Sequence, residues 1–159
     1  MSPQAASTAK AVGFQPTRIV SSEFEGFVEE RRLVRARISR GMILKEMEAA
    51  QADLQDARDS SERRKFKWAT IQGYYSMFHS ARSLLYHRGF REKSHYALLV
   101  AVRVLYSNEL EPSMIDRFEE AMNLRQEADY GLKFSEAGAV ETIEGAEGLL
   151  QRATELKLK

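Results

Sequence analysis

The chain has 159 residues, 43% of them hydrophobic and 30% charged, with no cysteine and a net charge of only +1. Disulfides, thiolate nucleophiles and sulfur-ligated zinc are excluded together, and no run approaches the roughly 18 apolar residues of a membrane span. The charge is unevenly placed: residues 1–108 carry 18 basic and 11 acidic side chains, residues 109–159 carry 6 and 12.

Residues 1–20 are rich in Ala, Ser, Thr and Pro without a sustained period, and they are expected to form a mobile tail. They contain no apolar core long enough for a secretory signal, and with the lack of cysteine this places the protein in the cytoplasm as an expectation. Residues 21–159 are expected to form one domain. An N-terminal helix is predicted after Ser21 or Ser22, either of which can cap it, carrying Phe24, Phe27, Val28, Leu33 and Val34.

From Gly41 the apolar positions become regular. Ile43, Met47, Ala50, Leu54 and Ala57 form one helical stripe. A second helix, from about Arg63 to Arg88, repeats it with Trp68, Ile71, Tyr75, Phe78, position 82 and Leu85, and Gly89 ends it. A third starts after Ser94, a good N-cap, and carries Leu98, Leu99, Val102 and Leu105. The fourth opens near Pro112 and shows Ile115, Phe118, Met122 and Arg125, running to Tyr130-Gly131. The last, about 135–156, uses Val140, Ile143, Ala146, Leu150 and Ala153 despite glycines at 138, 145 and 148. No segment alternates like a strand. The expected fold is all-α: an up-and-down antiparallel bundle of four to five helices with an extra N-terminal helix.

Three clusters concentrate positive charge: Arg31–Arg40, Arg63–Lys67 and His87–Lys93. Each suits phosphate or an acidic partner surface, and each also suits a solvated helix face.

The stretch YYSMFHSARSLLYHRG, Tyr74 to Gly89, raises the chemical question. Tyr75, His79, Arg82 and Tyr86 are spaced 4, 3 and 4, so they lie on one side of the second bundle helix. Arg82 falls where the stripe asks for an apolar side chain, and a buried guanidinium requires a partner. On the fourth helix Phe118, Met122, Arg125 and Asp129 share a stripe, and Arg125 can pair with Asp129 four residues on. Two arginines, a histidine, an aspartate and tyrosines at the inner edge of one bundle fit either a pocket for a phosphate-bearing ligand or an internal salt-bridge network.

Other chemistries have little support. Glu92-Lys93-Ser94-His95 is a single Glu-x-x-His, where a di-iron bundle needs two. His79, His87 and His95 stand eight apart without metal-ligand spacing, and there is no Gly-rich phosphate loop or Gly-x-Ser-x-Gly elbow. No metal or cofactor is expected.

The segment Gly73 to Leu85, followed by Gly89, by Lys93-Ser94-His95 and by Arg125-Gln126-Glu127-Ala128-Asp129-Tyr130, resembles the small bacterial and archaeal branch of the HEPN domains. The resemblance covers roughly residues 41–156. It implies a helical bundle, often homodimeric and often paired with a minimal nucleotidyltransferase as a toxin–antitoxin couple. It also implies nucleotide or RNA binding, with Tyr75, His79, Arg82, Lys93, His95, Arg125, Asp129 and Tyr130 as the candidate ligand-binding set.

Many family members are metal-independent endoribonucleases with an arginine followed, after four to six residues, by histidine. Here Arg125 is followed at that spacing by Tyr130, Gly131 and Leu132, and no histidine lies downstream of His95. Cleavage would therefore need Asp129, Tyr130 or a histidine from another helix beside Arg125, and a tyrosine with a pKa near about 10 is a poor base. Three readings follow: a nucleotide- or RNA-binding protein or nucleotidyltransferase partner, an endoribonuclease, or an interaction module whose inward polar residues set helix register.

Overall fold

A computed structural model describes residues 21–157; the expected tail, 1–20, lies outside the described residues. The elements run α1 (21–29), β1 (Leu33–Arg35), α2 (Arg40–Glu62), α3 (Phe66–His87), β2 (Phe90–Glu92), α4 (His95–Leu105), α5 (Pro112–Tyr130) and α6 (Glu136–Lys157). The helical bundle is as expected, and the helix boundaries follow their capping chemistry. Ser39 accepts a hydrogen bond from the Met42 N–H at 3.2 Å to open α2, and Ser94 accepts from the Ala97 N–H at 3.1 Å to open α4. Pro112 sits in the first turn of α5, and Gly89, at φ +83°, turns the chain after α3.

The centre of the fold is α3. Fourteen of its 22 residues are buried, so it is covered on most sides, by α2, α5, α6, α4 and β2. Small residues make that possible. Ser76 donates to the Ala50 carbonyl of α2 at 2.8 Å, and Gly73 lies so close to α6 that a Cβ there would stand 2.8 Å from Thr142 Cγ2. Tyr74, Met77, Leu84, Phe118 and Leu149 are essentially fully buried in one continuous core. Each stabilises the fold by about 1.5–3 kcal/mol through removal of apolar surface from water.

Several expectations need correction. Leu33 and Val34 belong not to the N-terminal helix but to β1, which pairs antiparallel with β2 in the register Leu33↔Glu92, Val34↔Arg91, Arg35↔Phe90. A three-residue strand is too short to show alternation, and its partner lies far along the chain. Ser21 and Ser22 are already helical, so neither caps α1. Trp68 is 50% exposed and Val140 is 41% exposed, because α3 turns its Ala69, Thr70 and Ile71 inward and α6 its Ala139 and Thr142.

Candidate functional site

Both α2 and α5 pack on α3 but their backbones do not approach each other, and a stripe of the central helix stays partly exposed as a groove floor. The least covered stripe of α3 is Gln72, Tyr75, His79 and Arg82, at the helical spacing of 3 and 4, with exposed Trp68 at its start. The sequence places Tyr75, His79 and Arg82 together correctly, but as a partly open seam between helices rather than as core.

The α2 side of the seam is an ion-pair network. Arg82 Nε donates to Glu92 Oε2 at 2.9 Å, its Nη1 donates to Glu46 Oε1 at 3.3 Å, and its guanidinium lies 4.4 Å from the Phe78 ring centroid. His79 stands between two carboxylates, Nδ1 at 3.2 Å from Glu46 and Nε2 at 3.6 Å from Asp53. Burial pushes the Glu46 carboxyl up, but the His79 hydrogen bond and the Arg82 charge outweigh it, and its pKa falls below the ordinary value. Burial likewise opposes the charge of Arg82, and the Glu92 and Glu46 carboxylates more than restore it. Asp53 is raised, chiefly by burial. The charge of Arg82 is thus taken up inside the protein by Glu92 and Glu46, and neither these two nor Asp53, which faces His79, were among the candidates.

The α5 side differs. The side chain of Arg125 is only 13% exposed, and its guanidinium carbon lies 5.1 Å from the Tyr74 ring centroid and 5.7 Å from that of Tyr75. Its carboxylate contact is Asp129 at 3.7 Å, and its Nε is buried without a hydrogen-bond partner. A buried donor left unpaired costs about 1–3 kcal/mol unless something supplies an acceptor.

The first residue of α4 completes this side. His95 Nδ1 and the Tyr74 hydroxyl share a 2.6 Å hydrogen bond, and the imidazole packs 4.4 Å, centroid to centroid, from Phe78. Burial lowers the pKa of His95, and the Arg125 charge lowers it further, so the ring is neutral near pH 7. Burial pushes the Tyr74 phenol far up. With the phenol protonated and no other acceptor in its reach among the described residues, Tyr74 donates to Nδ1. The imidazole proton then sits on Nε2. His95 and Arg125 share the same two rings, the imidazole 5.8 and 6.3 Å and the guanidinium carbon 5.1 and 5.7 Å from the Tyr74 and Tyr75 centroids.

Thus Tyr75, His95 and Arg125 converge, joined by Tyr74 and Phe78, which sequence reasoning passed over. Asp129 touches the edge. Lys93 and Tyr130 do not join: Lys93 is exposed, and Tyr130 is 74% exposed with no side-chain bond. Concavities of about 110 and 210 Å³ lie between α5 and α6, and none of the candidate residues lines them. No helix among the described residues is long and apolar enough to cross a membrane.

Comparison with known proteins agrees with this architecture. A protein of Methanocaldococcus jannaschii named "Putative toxin MJ0142" is 31% identical over 86 residues, which are 53% of this chain and 58% of that protein. The match therefore spans less than two thirds of the relative's length. The family model described as "HEPN domain" matches residues 44–157, from the second turn of α2 to the end of α6. The chain belongs to the HEPN domain family.

Proposed function

We propose that this HEPN protein is a toxin-type module that binds RNA in the groove between α2 and α5, holding a phosphate between Arg125 and His95 and stacking a base on Tyr75. The observation that carries this reading is the unpaired, buried Nε of Arg125, whose guanidinium lies on the ring of Tyr74, the residue that holds His95 by its Nδ1. Two convergent donors with a spare aromatic face suit a phosphodiester. The groove is open rather than enclosed, which suits a polymer.

The same geometry argues against efficient cleavage. A base for the ribose 2′-hydroxyl needs an unprotonated nitrogen, whereas the free nitrogen of His95 carries the proton. The partner expectations of the family resemblance accompany this reading: a homodimer, coupled to a nucleotidyltransferase as a toxin–antitoxin pair.

The test is fluorescence anisotropy with a labelled RNA trinucleotide and a 12-mer, alongside incubation of RNA in EDTA. Binding should weaken about tenfold or more in Arg125→Ala, with little or no cleavage. Unchanged affinity in folded Arg125→Ala would remove the groove from the reading, and fast Arg125-dependent cleavage would make the protein a nuclease instead.

A further inference from the structure

We infer that the small β1–β2 sheet is a second nucleic-acid contact, an arginine surface that continues the groove and grips the backbone of a longer single strand. Pairing of β1 with β2 brings together two basic clusters that are separated by 46 residues of chain. Residues 29–40 and 87–93 carry eight lysines and arginines against three glutamates, seven of the eight being arginine. Two of those glutamates are already engaged, Glu30 with Arg32 and Glu92 with Arg82. Arg31, Arg35, Arg37, Arg40, Arg91 and Lys93 are all exposed and have no carboxylate within ion-pair distance among the described residues.

The occupant follows from what accompanies this charge. An acidic protein partner would need an apolar anchor at the centre of its footprint. No large hydrophobic side chain of residues 31–40 or 87–93 is exposed; Leu33 and Phe90 are both buried beneath the sheet. What remains is a dense array of planar guanidinium groups, the geometry that matches phosphate oxygens. The array also meets the groove. Arg91 and Lys93 flank Glu92, whose carboxylate holds Arg82, and His95 follows two residues later. A strand whose phosphate lies between Arg125 and His95 would leave the groove over Lys93 and Arg91. That the polyanion is RNA rests on the groove reading; that the surface takes a phosphodiester backbone does not.

The experiment compares wild type, the triple variant Arg37→Ala/Arg40→Ala/Arg91→Ala, and Arg125→Ala, with circular dichroism to confirm folding. Arg40 opens α2, where a cation opposes the helix dipole, so its removal does not threaten the helix. Anisotropy is read with an RNA trinucleotide, an RNA 12-mer and polyglutamate at matched charge. In the triple variant, 12-mer affinity should fall at least about tenfold at about 100 mM salt, the log–log salt slope should shrink by about 2, and trinucleotide affinity should hold.

A folded triple variant that binds the 12-mer like wild type overturns the inference, and so does wild-type affinity for polyglutamate equal to that for the 12-mer. If the triple variant loses the 12-mer while Arg125→Ala does not, the groove reading falls and the sheet surface stands. If the trinucleotide depends on Arg125 while the triple variant changes nothing, the sheet surface falls alone. Wild type that binds neither oligonucleotide overturns both.

Discussion

The Tyr74 hydroxyl meets His95 Nδ1 at 2.6 Å, tying the middle of the central helix to the first residue of α4. This contact orients the imidazole from behind, so that the only imidazole nitrogen left for a ligand is Nε2. Arg125 covers the same tyrosine ring, so one buried phenol positions both donors of the proposed phosphate site.

His95 should titrate below the ordinary histidine value of about 6.5. Because its folded pKa is depressed, it costs nothing above pH 6.5 and destabilises the fold as pH falls below that value, where only the unfolded chain takes up the proton. NMR titration checks both points. Arg125→Met should move the midpoint part of the way back toward 6.5, since burial is the larger cause. A midpoint at or above 6.5 in wild type would contradict the neutral, Nε2-protonated ring.

Tyr74→Phe keeps the ring packed among Phe118, Tyr75 and Phe78 but removes the hydroxyl that fixes the imidazole. Stability should drop by about 1–2 kcal/mol in urea melts. RNA affinity should fall although no group facing the ligand has been removed. Unchanged affinity would mean that orientation of His95 does not matter to binding.

Arg82→Met should destabilise by about 2–3 kcal/mol, because it strands Glu92, whose side chain is 5% exposed, and Glu46 without their cation. Adding Glu92→Gln should recover part of the loss. Chemical denaturation of the two variants decides this, and a neutral single variant would show that water replaces the guanidinium.

Glu46, whose pKa is depressed in the fold, contributes stability that is complete above about pH 4.5 and is lost as pH falls through its lower folded value. Asp53, raised chiefly by burial, works in the opposite sense, so Glu46→Gln isolates the effect. Thermal melts from pH 6 to pH 3 should show a shallower acid loss in Glu46→Gln than in wild type. Parallel curves would assign the acid sensitivity elsewhere.

Gly73→Ala tests the closest approach of α3 and α6. Helix propensity alone favours alanine by about 1 kcal/mol, yet the new Cβ would stand 2.8 Å from Thr142 Cγ2, and overpacking costs about 1–3 kcal/mol. The single variant should be destabilised. Gly73→Ala/Thr142→Ser, which deletes the clashing methyl, should regain most of the loss. An equally unstable double variant would place the strain in the backbone instead.

The long helices were legible because apolar side chains recur at 3 and 4 over more than ten residues and because Ser94, Pro112 and Gly89 punctuate them. The period failed where a helix is covered on most sides. In α3 the apolar and small residues go nearly all round, so the stripe drawn from Trp68 to Leu85 mixed the open seam with the core: Ile71, Phe78 and Leu85 are buried, Trp68, Tyr75 and position 82 are not, and Tyr74, outside the stripe, is completely buried. The need for an Arg82 partner was legible as well, since a guanidinium in that position cannot stand alone. Its partners were not, because Glu46 lies 36 positions away and its approach depends on how α2 crosses α3.

By itself, then, the sequence determined the class of fold, the limits of the bundle helices to within a turn but not those of the N-terminal helix, the side of α3 that would carry polar chemistry, and the absence of a histidine at the family spacing after Arg125. Those properties are local, set by capping, by periodicity and by order along one helix. Only the tertiary structure decided that Arg82 is neutralised by two carboxylates while Arg125 is left with a buried, unpaired Nε. It also decided that His95, not Tyr130, stands beside Arg125, and that two distant arginine clusters share one small sheet. Each of these depends on distances between elements, which the packing of α2, α4, α5 and β1 around α3 creates and which no spacing within one element encodes.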